Sequence, residues 1–523
     1  MQRDFMIRRL REAKNPGSGF DLLIVGGGAS GVGAAVDAAS RGHSVALVDR
    51  SDFGKGTSSR STKLVHGGVR YLQQGNVPLV MEALKERGLL RQNAPHLVHD
   101  LAFVVPNYAW WEAPFYGIGM KVYDALAGRY GFGPSKNLST EETVERLPTL
   151  ETEGLRGGVV YHDGQFDDAR LLLDLVQTAA EQGATVANYV SVDGLLVGED
   201  GFLEGVKATD RETGEVLEIA AKVVVNATGA WTDELRQLDN PSAKPRIQPS
   251  QGVHVVLPKS FLPGDSAIMV PHTDDGRVLF AIPWLGTVVV GTTDTPIEEV
   301  GEEPVPFAEE VDFILEHAAR YLTKDPSRSD VLSVFAGIRP LVAGVGDEDD
   351  TSKISREHTI HVSSTGLLTI AGGKWTTYRK MAEDVVDHAE TVGGLEPRDC
   401  VTKRLNIHGY HEHAAQFGEL AAYGSDAPEV RAALAARPGY EDRVHSDLSL
   451  RRGEIAWAAT REMARTVDDV LARRTRSLLR NARASIEAAP AVAGFLAEHL
   501  GRDDDWVEEQ VSSFTAIAEG YCA

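Results

Sequence analysis

The sequence predicts an α/β fold: a Rossmann-like nucleotide-binding domain, an interleaved antiparallel-sheet substrate domain and a helical C-terminal domain. Three observations predict it. A glycine-rich strand–turn–helix–strand unit opens the chain after a short arm, two further strand–turn–helix elements follow far downstream, and beyond about Pro397 the composition shifts to Ala, Arg and Glu at helical spacing.

The first element reads FDLLIVGGGASGVGAAVDAASRGHSVALVD from Phe20. An apolar run feeds Gly26, Gly28 and Gly31, a small-residue helix follows, and a second apolar run ends at Asp49. Gly26 permits the tight turn, Gly28 lets the backbone approach a pyrophosphate, and Gly31 lets the helix pack on the strand. The helix N-terminus offers free N–H groups to an anion, and Asp49 falls where a carboxylate accepts ribose hydroxyls.

Size and charge bound the rest. The 523 residues suit about three domains. Cys400 and Cys522, the two cysteines, have neither metal-ligand nor disulfide-framework spacing, so no metal site is expected and a reducing cytoplasm fits. A net charge of −23 opposes non-specific binding to nucleic acid. No window reaches the roughly 20 apolar residues of a membrane span, which predicts a cytoplasmic chain, with peripheral contact at the inner face of the cell membrane left open. Residues 1–19 form an N-terminal arm whose first fourteen residues place five cations around Phe5, Met6, Ile7 and Leu10. It reads either as a basic amphipathic arm for a membrane surface or as a solvated helix.

A polar, glycine-bearing segment over 51–68 is expected along the ligand, followed by a helix over 78–92. The region 103–147 is rich in aromatics and glycine, has no readable regular structure, and is taken as a cap or insertion. An amphipathic helix is predicted over 168–182, then β-segments over 185–197 and 205–209. The buried strand AKVVVNATGAW brings Ala227, Thr228 and Gly229 to a second helix start, where small residues let backbone approach a nucleotide. Short β-runs with turn signals over 252–290 predict an antiparallel sheet. LLTIAGGKWTTYRK from Leu367 is the third strand–turn–helix element. The expected division is 20–396 for the discontinuous nucleotide domain, about 70–165 and 240–335 for the substrate and cap part, and 397–523 for the helical domain.

Three nucleotide-contact turns so far apart in sequence imply one extended cofactor, FAD rather than NAD. Arg70, Arg339, Arg356 and Lys374 stand beside glycine-rich turns, and guanidinium forks suit an anionic, phosphate-bearing substrate.

These residues resemble the FAD-dependent glycerol-3-phosphate dehydrogenases, within the wider class of amine-oxidase-like flavoproteins. The resemblance rests on ordered motifs: TSS at Thr57–Ser59, KLVHGGVRYL from Lys63, APHL from Ala94, DDAR from Asp167, NATGAW from Asn226, GTTDT from Gly291, GIRPL from Gly337, GGKWTTYRK from Gly372 and LARRTR from Leu471. It implies hydride transfer from C2 of sn-glycerol 3-phosphate to flavin N5, giving dihydroxyacetone phosphate, with electrons passed to a quinone or other acceptor. Implied substrate contacts are Arg70, Tyr71, His254, Arg339, Arg356 and Lys374, of which His254, Arg339 and Lys374 are the catalytic candidates. His254 is either the base that takes the hydroxyl proton or a hydrogen-bonded core histidine. Implied cofactor contacts are Gly26, Gly28, Ala29, Ser30, Gly31 and Asp49; Thr57, Ser58, Ser59, Lys63, Leu64, His66, Gly67 and Gly68; Ala227, Thr228 and Gly229; Gly337 and Arg339; and Gly373, Lys374, Trp375 and Thr376.

Two positions depart from the family pattern. Gln251 replaces a common lysine, removing a cation from the expected pocket edge, and Arg60 stands where a small residue is common, to meet FAD phosphate or solvent. Seven arginines between Arg461 and Arg483 read either as a face on anionic lipid or as a solvated helix paired with Glu462, Asp468 and Asp469. A flavin oxidase using oxygen or another small substrate, and a non-catalytic flavin-fold binding protein, are the competing functions; a homodimer is left open.

Overall fold

The computed structural model describes the chain except residues 74, 272, 275 and 343–356, and gives residues 16, 70 and 73 by backbone alone. Phe20–Val25 lies at the centre of a parallel sheet, between Val45–Val48 on one side and Val216–Asn226 on the other. Thr185–Ala187 extends the first side and Leu368–Gly372 the second, both parallel, and His358–Val362 closes that edge antiparallel. The three strands that carry the glycine turns are therefore neighbours, and their C-terminal ends open on one edge at the point where strand order reverses, the usual place for a nucleotide.

Both faces of this sheet are covered, which explains its continuous apolar strands. Leu22, Ile24, Leu47 and Val225 pack with Val32, Leu172, Leu175 and Val385 from the helices Ala29–Ser40, Asp168–Glu181 and Tyr378–Val392. Leu23, Val25, Ala46 and Val224 turn the other way, against Val190, Val206 and Ala208 of an antiparallel layer and Ile7 and Leu10 of the N-terminal helix Arg3–Glu12. The two-residue alternation of a strand sorts them.

The arm is thus neither free for a membrane nor merely solvated. Met6, Ile7 and Leu10 are core while Phe5 stays exposed, Arg3 reaches Asp210 Oδ1 at 2.7 Å, and Arg11 reaches Glu215 Oε2 at 2.6 Å. The helix Asp168–Glu181, expected amphipathic, is buried from Asp168 through Ala179. The C-terminal domain covers its polar side, so Arg170 is paired with Glu462 at 2.7 Å and Asp174 at 2.9 Å.

A second, largely antiparallel sheet faces the strand ends. Ile247–Pro258 pairs with Ser333–Val342 on one side and with Thr287–Gly291 on the other, followed by Leu279–Trp284, Ala267–Val270, Val98–Asn107, Gly157–Phe166 and Leu64–Val65. The region 103–147 is not irregular: it completes the strand Val98–Asn107, then forms the helix Glu112–Ala127, the strand Lys136–Leu138 and the helix Thr140–Arg146. Gly117 and Gly119 and an apolar stripe on the outward face hid that longer helix from periodicity.

C-terminal helices include Arg452–Arg461, Ala482–Leu500 and Asp504–Glu519, with a π-helical turn over Asp469–Arg474. Three of the seven arginines, Arg473, Arg474 and Arg476, are buried and paired with Asp52, Asp468, Asp469 and Asp167. They face neither lipid nor solvent. Among the described residues, no helix is long and apolar enough to cross a membrane.

Candidate active site

The ends of the parallel strands and the face of the second sheet enclose a cavity of about 890 Å³. On the nucleotide side, Gly26 takes φ +114°, and a Cβ there would lie 2.5 Å from the Ala227 carbonyl oxygen. At Gly31 a Cβ would stand 2.0 Å from the Gly26 oxygen, so this residue serves close helix–strand packing rather than the cavity wall. Gly28 caps the helix Ala29–Ser40, whose N-terminus opens at the wall with Gly28, Ala29 and Ser30, and Ala29 N–H donates to Ser58 Oγ at 2.9 Å.

Asp49 also lines the cavity. Its carboxylate accepts from Gly27 N–H at 2.6 Å and Ser51 N–H at 2.8 Å, tying the second strand to the glycine turn. Loss of water pushes its pKa up to about 6 against these hydrogen bonds. Both oxygens keep lone pairs for ribose hydroxyls.

The segment after Asp49 supplies much of the wall, including Thr57, Ser58, Leu64, His66, Gly68 and Tyr71. Thr57 Oγ1 donates to the Ile338 carbonyl at 2.5 Å, and Trp375 Nε1 donates to the Ser58 carbonyl at 2.8 Å, which joins this segment to the second sheet and to the third glycine turn. His66 N–H donates to Thr376 Oγ1 at 3.2 Å. Ala227, Thr228, Gly229, Gly337, Gly373, Lys374, Trp375 and Thr376 complete the expected set at the wall.

Four expected cofactor contacts lie behind the wall. Besides Gly31, Ser59 is buried, and Gly67 donates its N–H to Tyr123 Oη at 2.8 Å. Lys63, fully buried, is turned away: its Nζ reaches both Asp168 oxygens at 2.8 Å and the Ser59 carbonyl at 2.7 Å, under the Trp284 and Phe335 rings. Its ammonium holds the frame of the segment, with burial pulling its pKa down against the pull of Asp168. Arg356 lies outside the described residues, and of Arg70 only the backbone, in the helix Val69–Gln73, is described.

The polar end of the cavity brings together His254, Arg339, Lys374 and Tyr71. Lys374 Nζ sits 3.7 Å from the centroid of the Tyr71 ring, a cation–π contact. Arg339 lies across Gly252, where a Cβ would come within 2.4 Å of Nη2. Its fork donates to Asp294 Oδ1 at 3.1 Å and to the Thr293 carbonyl at 2.9 Å, leaving a pre-oriented cation at the wall. His254 stacks on Phe335 with ring centroids 4.8 Å apart and shares a 2.9 Å hydrogen bond between Nε2 and Thr62 Oγ1. Its Nδ1 is buried without a hydrogen-bond partner. Burial first, then Arg339 and Lys63, hold its pKa well below 6.5, so the ring is neutral at physiological pH.

Sequence reasoning missed Thr62, Thr293 and Asp294, the partners of the histidine and the arginine; the GTTDT motif was the available signal for the last two. The two departures from the family pattern also take partners that sequence reasoning did not name. Gln251 faces away from the cavity, donating to Glu310 Oε2 at 2.8 Å, because a strand sends consecutive residues to opposite faces. Arg60 is buried and does not point to solvent: its guanidinium donates to Glu303 Oε2 at 2.5 Å and to the Glu302 carbonyl at 3.2 Å, beside the cavity wall.

A nucleotide cradle joined to a cationic pocket on an antiparallel sheet defines a flavin-dependent oxidoreductase. The family described as FAD dependent oxidoreductase matches residues 21–379, and the C-terminal domain of alpha-glycerophosphate oxidase matches 363–507. Mitochondrial glycerol-3-phosphate dehydrogenase of Macaca fascicularis is 41% identical over 95% of this chain and 72% of its own length. The Schizosaccharomyces pombe counterpart is 39% identical over 93% and 85%. The crystal structure of glycerol-3-phosphate dehydrogenase from Bacillus halodurans with FAD superposes with a TM-score of 0.80 at 30% identity, covering 100% of this chain and 98% of that one. The chain belongs to the FAD-dependent glycerol-3-phosphate dehydrogenases.

Proposed function

We propose that this chain oxidises sn-glycerol 3-phosphate at C2, with Arg339, Lys374 and Tyr71 around the substrate and His254 as base, and that the electrons leave to a quinone. The observation that carries the reading is the convergence of two cations and a buried neutral histidine on one cavity with three glycine turns. Bound FAD supplies the two-electron acceptor for the hydride that leaves C2.

The protein's own residues do the rest. Helix-terminal N–H groups beside Gly28 suit the pyrophosphate, and Asp49 suits the adenosine ribose. The Arg339 fork is held from behind by Asp294 and Thr293, so it binds the anion with little further ordering. The neutral His254 ring carries one nitrogen able to accept the C2 hydroxyl proton, and Thr62, which shares the hydrogen bond at Nε2 and lines the cavity, orients it. A substrate dianion beside Arg339 opposes the field that depresses the histidine's pKa, so substrate binding itself strengthens the base.

Peripheral membrane contact, which would suit an apolar acceptor, is supported by an outward stripe on the helix Glu112–Ala127. Trp111, Phe115, Ile118 and Val122 recur at helical spacing and are exposed, with Trp110 at 77% exposure beside them. The acceptor is tested by measuring dihydroxyacetone phosphate from glycerol 3-phosphate, either under nitrogen with a soluble quinone or in air without one. Much faster product formation with the quinone is expected; equal rates in air would favour the oxidase reading.

A further inference from the structure

The buried arginines of the C-terminal domain have no part in the chemistry above, yet they end on the segment that walls the cofactor cavity. Asp52, three residues after Asp49, is completely buried. Its carboxylate receives Arg473 Nε at 2.5 Å, Arg474 Nη2 at 3.0 Å, a shorter contact from Arg474 Nη1, and Asn188 Nδ2 at 3.1 Å. The π-helical turn Asp469–Arg474 delivers two consecutive guanidiniums to one carboxylate, which the wider divergence of neighbours in an α-helix hinders.

Two more attachments follow along the same segment. Lys55 Nζ bridges Asp468 at 2.9 Å and Glu303 at 2.6 Å. Arg60 donates to Glu303 Oε2, which also accepts from Tyr521 Oη at 3.2 Å. Arg473 closes the chain onto Asp468 at 2.9 Å and Asp469 at 2.7 Å. Four cations, Lys55, Arg60, Arg473 and Arg474, face four carboxylates, Asp52, Glu303, Asp468 and Asp469, so the network is balanced. Between its attachment points lie Gly54, Gly56, Thr57 and Ser58, all at the cavity wall, and Gly54 N–H bonds the Gly27 carbonyl at 3.0 Å. Arg473, Arg474, Asp468 and Tyr521 are themselves absent from the wall.

We infer that the C-terminal helical domain clamps the FAD-binding segment, and that Arg473, Arg474, Asp468 and Tyr521 are positioning residues that set FAD affinity without touching cofactor or substrate. The inference rests on FAD occupying this cavity. A loop with four Gly or Ser positions between its anchors, Gly54, Gly56, Ser58 and Ser59, has little intrinsic order, and fixing it before binding removes an entropic cost from association.

The test uses the full-length protein stripped of FAD and titrated back, following flavin fluorescence. Arg474→Lys keeps the charge but not the two-pronged grip, and Tyr521→Phe removes one hydroxyl and no charge. The expected result is a rise in the FAD dissociation constant of about tenfold or more for Arg474→Lys and about threefold for Tyr521→Phe. The KM for glycerol 3-phosphate stays within about twofold, and saturating FAD restores the anaerobic reduction rate. Arg41→Lys, in a buried ion pair with Asp37 at 2.6 Å at the C-terminal end of the helix Ala29–Ser40 and absent from the cavity wall, is the control and lowers thermal stability while leaving FAD affinity unchanged. FAD affinity within twofold of the parent in Tyr521→Phe and in folded Arg474→Lys would overturn the clamp, as would an equal loss in Arg41→Lys. Should Arg474→Lys fail to fold, Tyr521→Phe decides alone. Absence of FAD binding by the parent protein would instead sink the cofactor reading beneath it.

Discussion

His254 owes its neutrality to burial and to two nearby cations, and a base must be neutral before it can work. Because its pKa lies well below 6.5, flavin reduction by glycerol 3-phosphate should be flat through neutral pH and fall only in acid. His254→Asn should slow that reduction by roughly 10²–10⁴-fold with KM within a few-fold, checked by stopped-flow absorbance. Asp49 sets a second pH dependence, of opposite origin. Its carboxyl is raised from 3.8 to about 6 in the folded protein. By linkage, this group favours folding below 3.8 and loses that contribution as pH rises through about 6. Ribose hydroxyls donate to the charged form and lower the pKa again, so binding FAD releases a proton. FAD affinity measured by titration should therefore strengthen as pH rises from 5 to 7, and Asp49→Asn should flatten that slope.

At the scale of elements, the glycine turns were legible because each follows an apolar strand and opens a helix, a pattern with a definite physical purpose. Their adjacency in one sheet is what turns three local signals into one cofactor site. The antiparallel substrate sheet was legible from its turns. Less was readable where side chains serve a neighbour distant in sequence. Lys63, an implied cofactor contact in the string KLVHGG, pairs with Asp168, and Gln251 looks like part of the pocket until strand alternation turns it toward Glu310. Gly291 shows the converse. It is paired directly opposite His254, and a Cβ there would come within 2.3 Å of the imidazole Cδ2. Gly291→Ala should displace the ring and lower kcat about tenfold or more while FAD content stays constant, measured by flavin absorbance and turnover.

Across the whole molecule, charge and apolar surface are distributed against the expectations drawn from composition. Arg473, Arg474 and Arg476 of the arginine-rich stretch and Arg3 of the basic N-terminal helix, two stretches readable as membrane faces, are locked into the interior by Asp52, Asp167 and Asp210. The exposed apolar stripe instead lies on the helix Glu112–Ala127, in a region where no helix was expected. Replacing Phe115 and Ile118 together by Glu should abolish co-sedimentation with anionic vesicles and leave turnover with a soluble acceptor within about twofold. The central claim is that all these parts serve one reaction, removal of hydride from C2 of a phosphorylated triol. Its most direct test is anaerobic bleaching of the flavin absorbance on mixing with sn-glycerol 3-phosphate, its C2-deuterated form, and plain glycerol. The expected result is rapid bleaching by the phosphate ester, several-fold slower bleaching by the deuterated ester, and none by glycerol; equal bleaching by glycerol, or none by the ester, would contradict it.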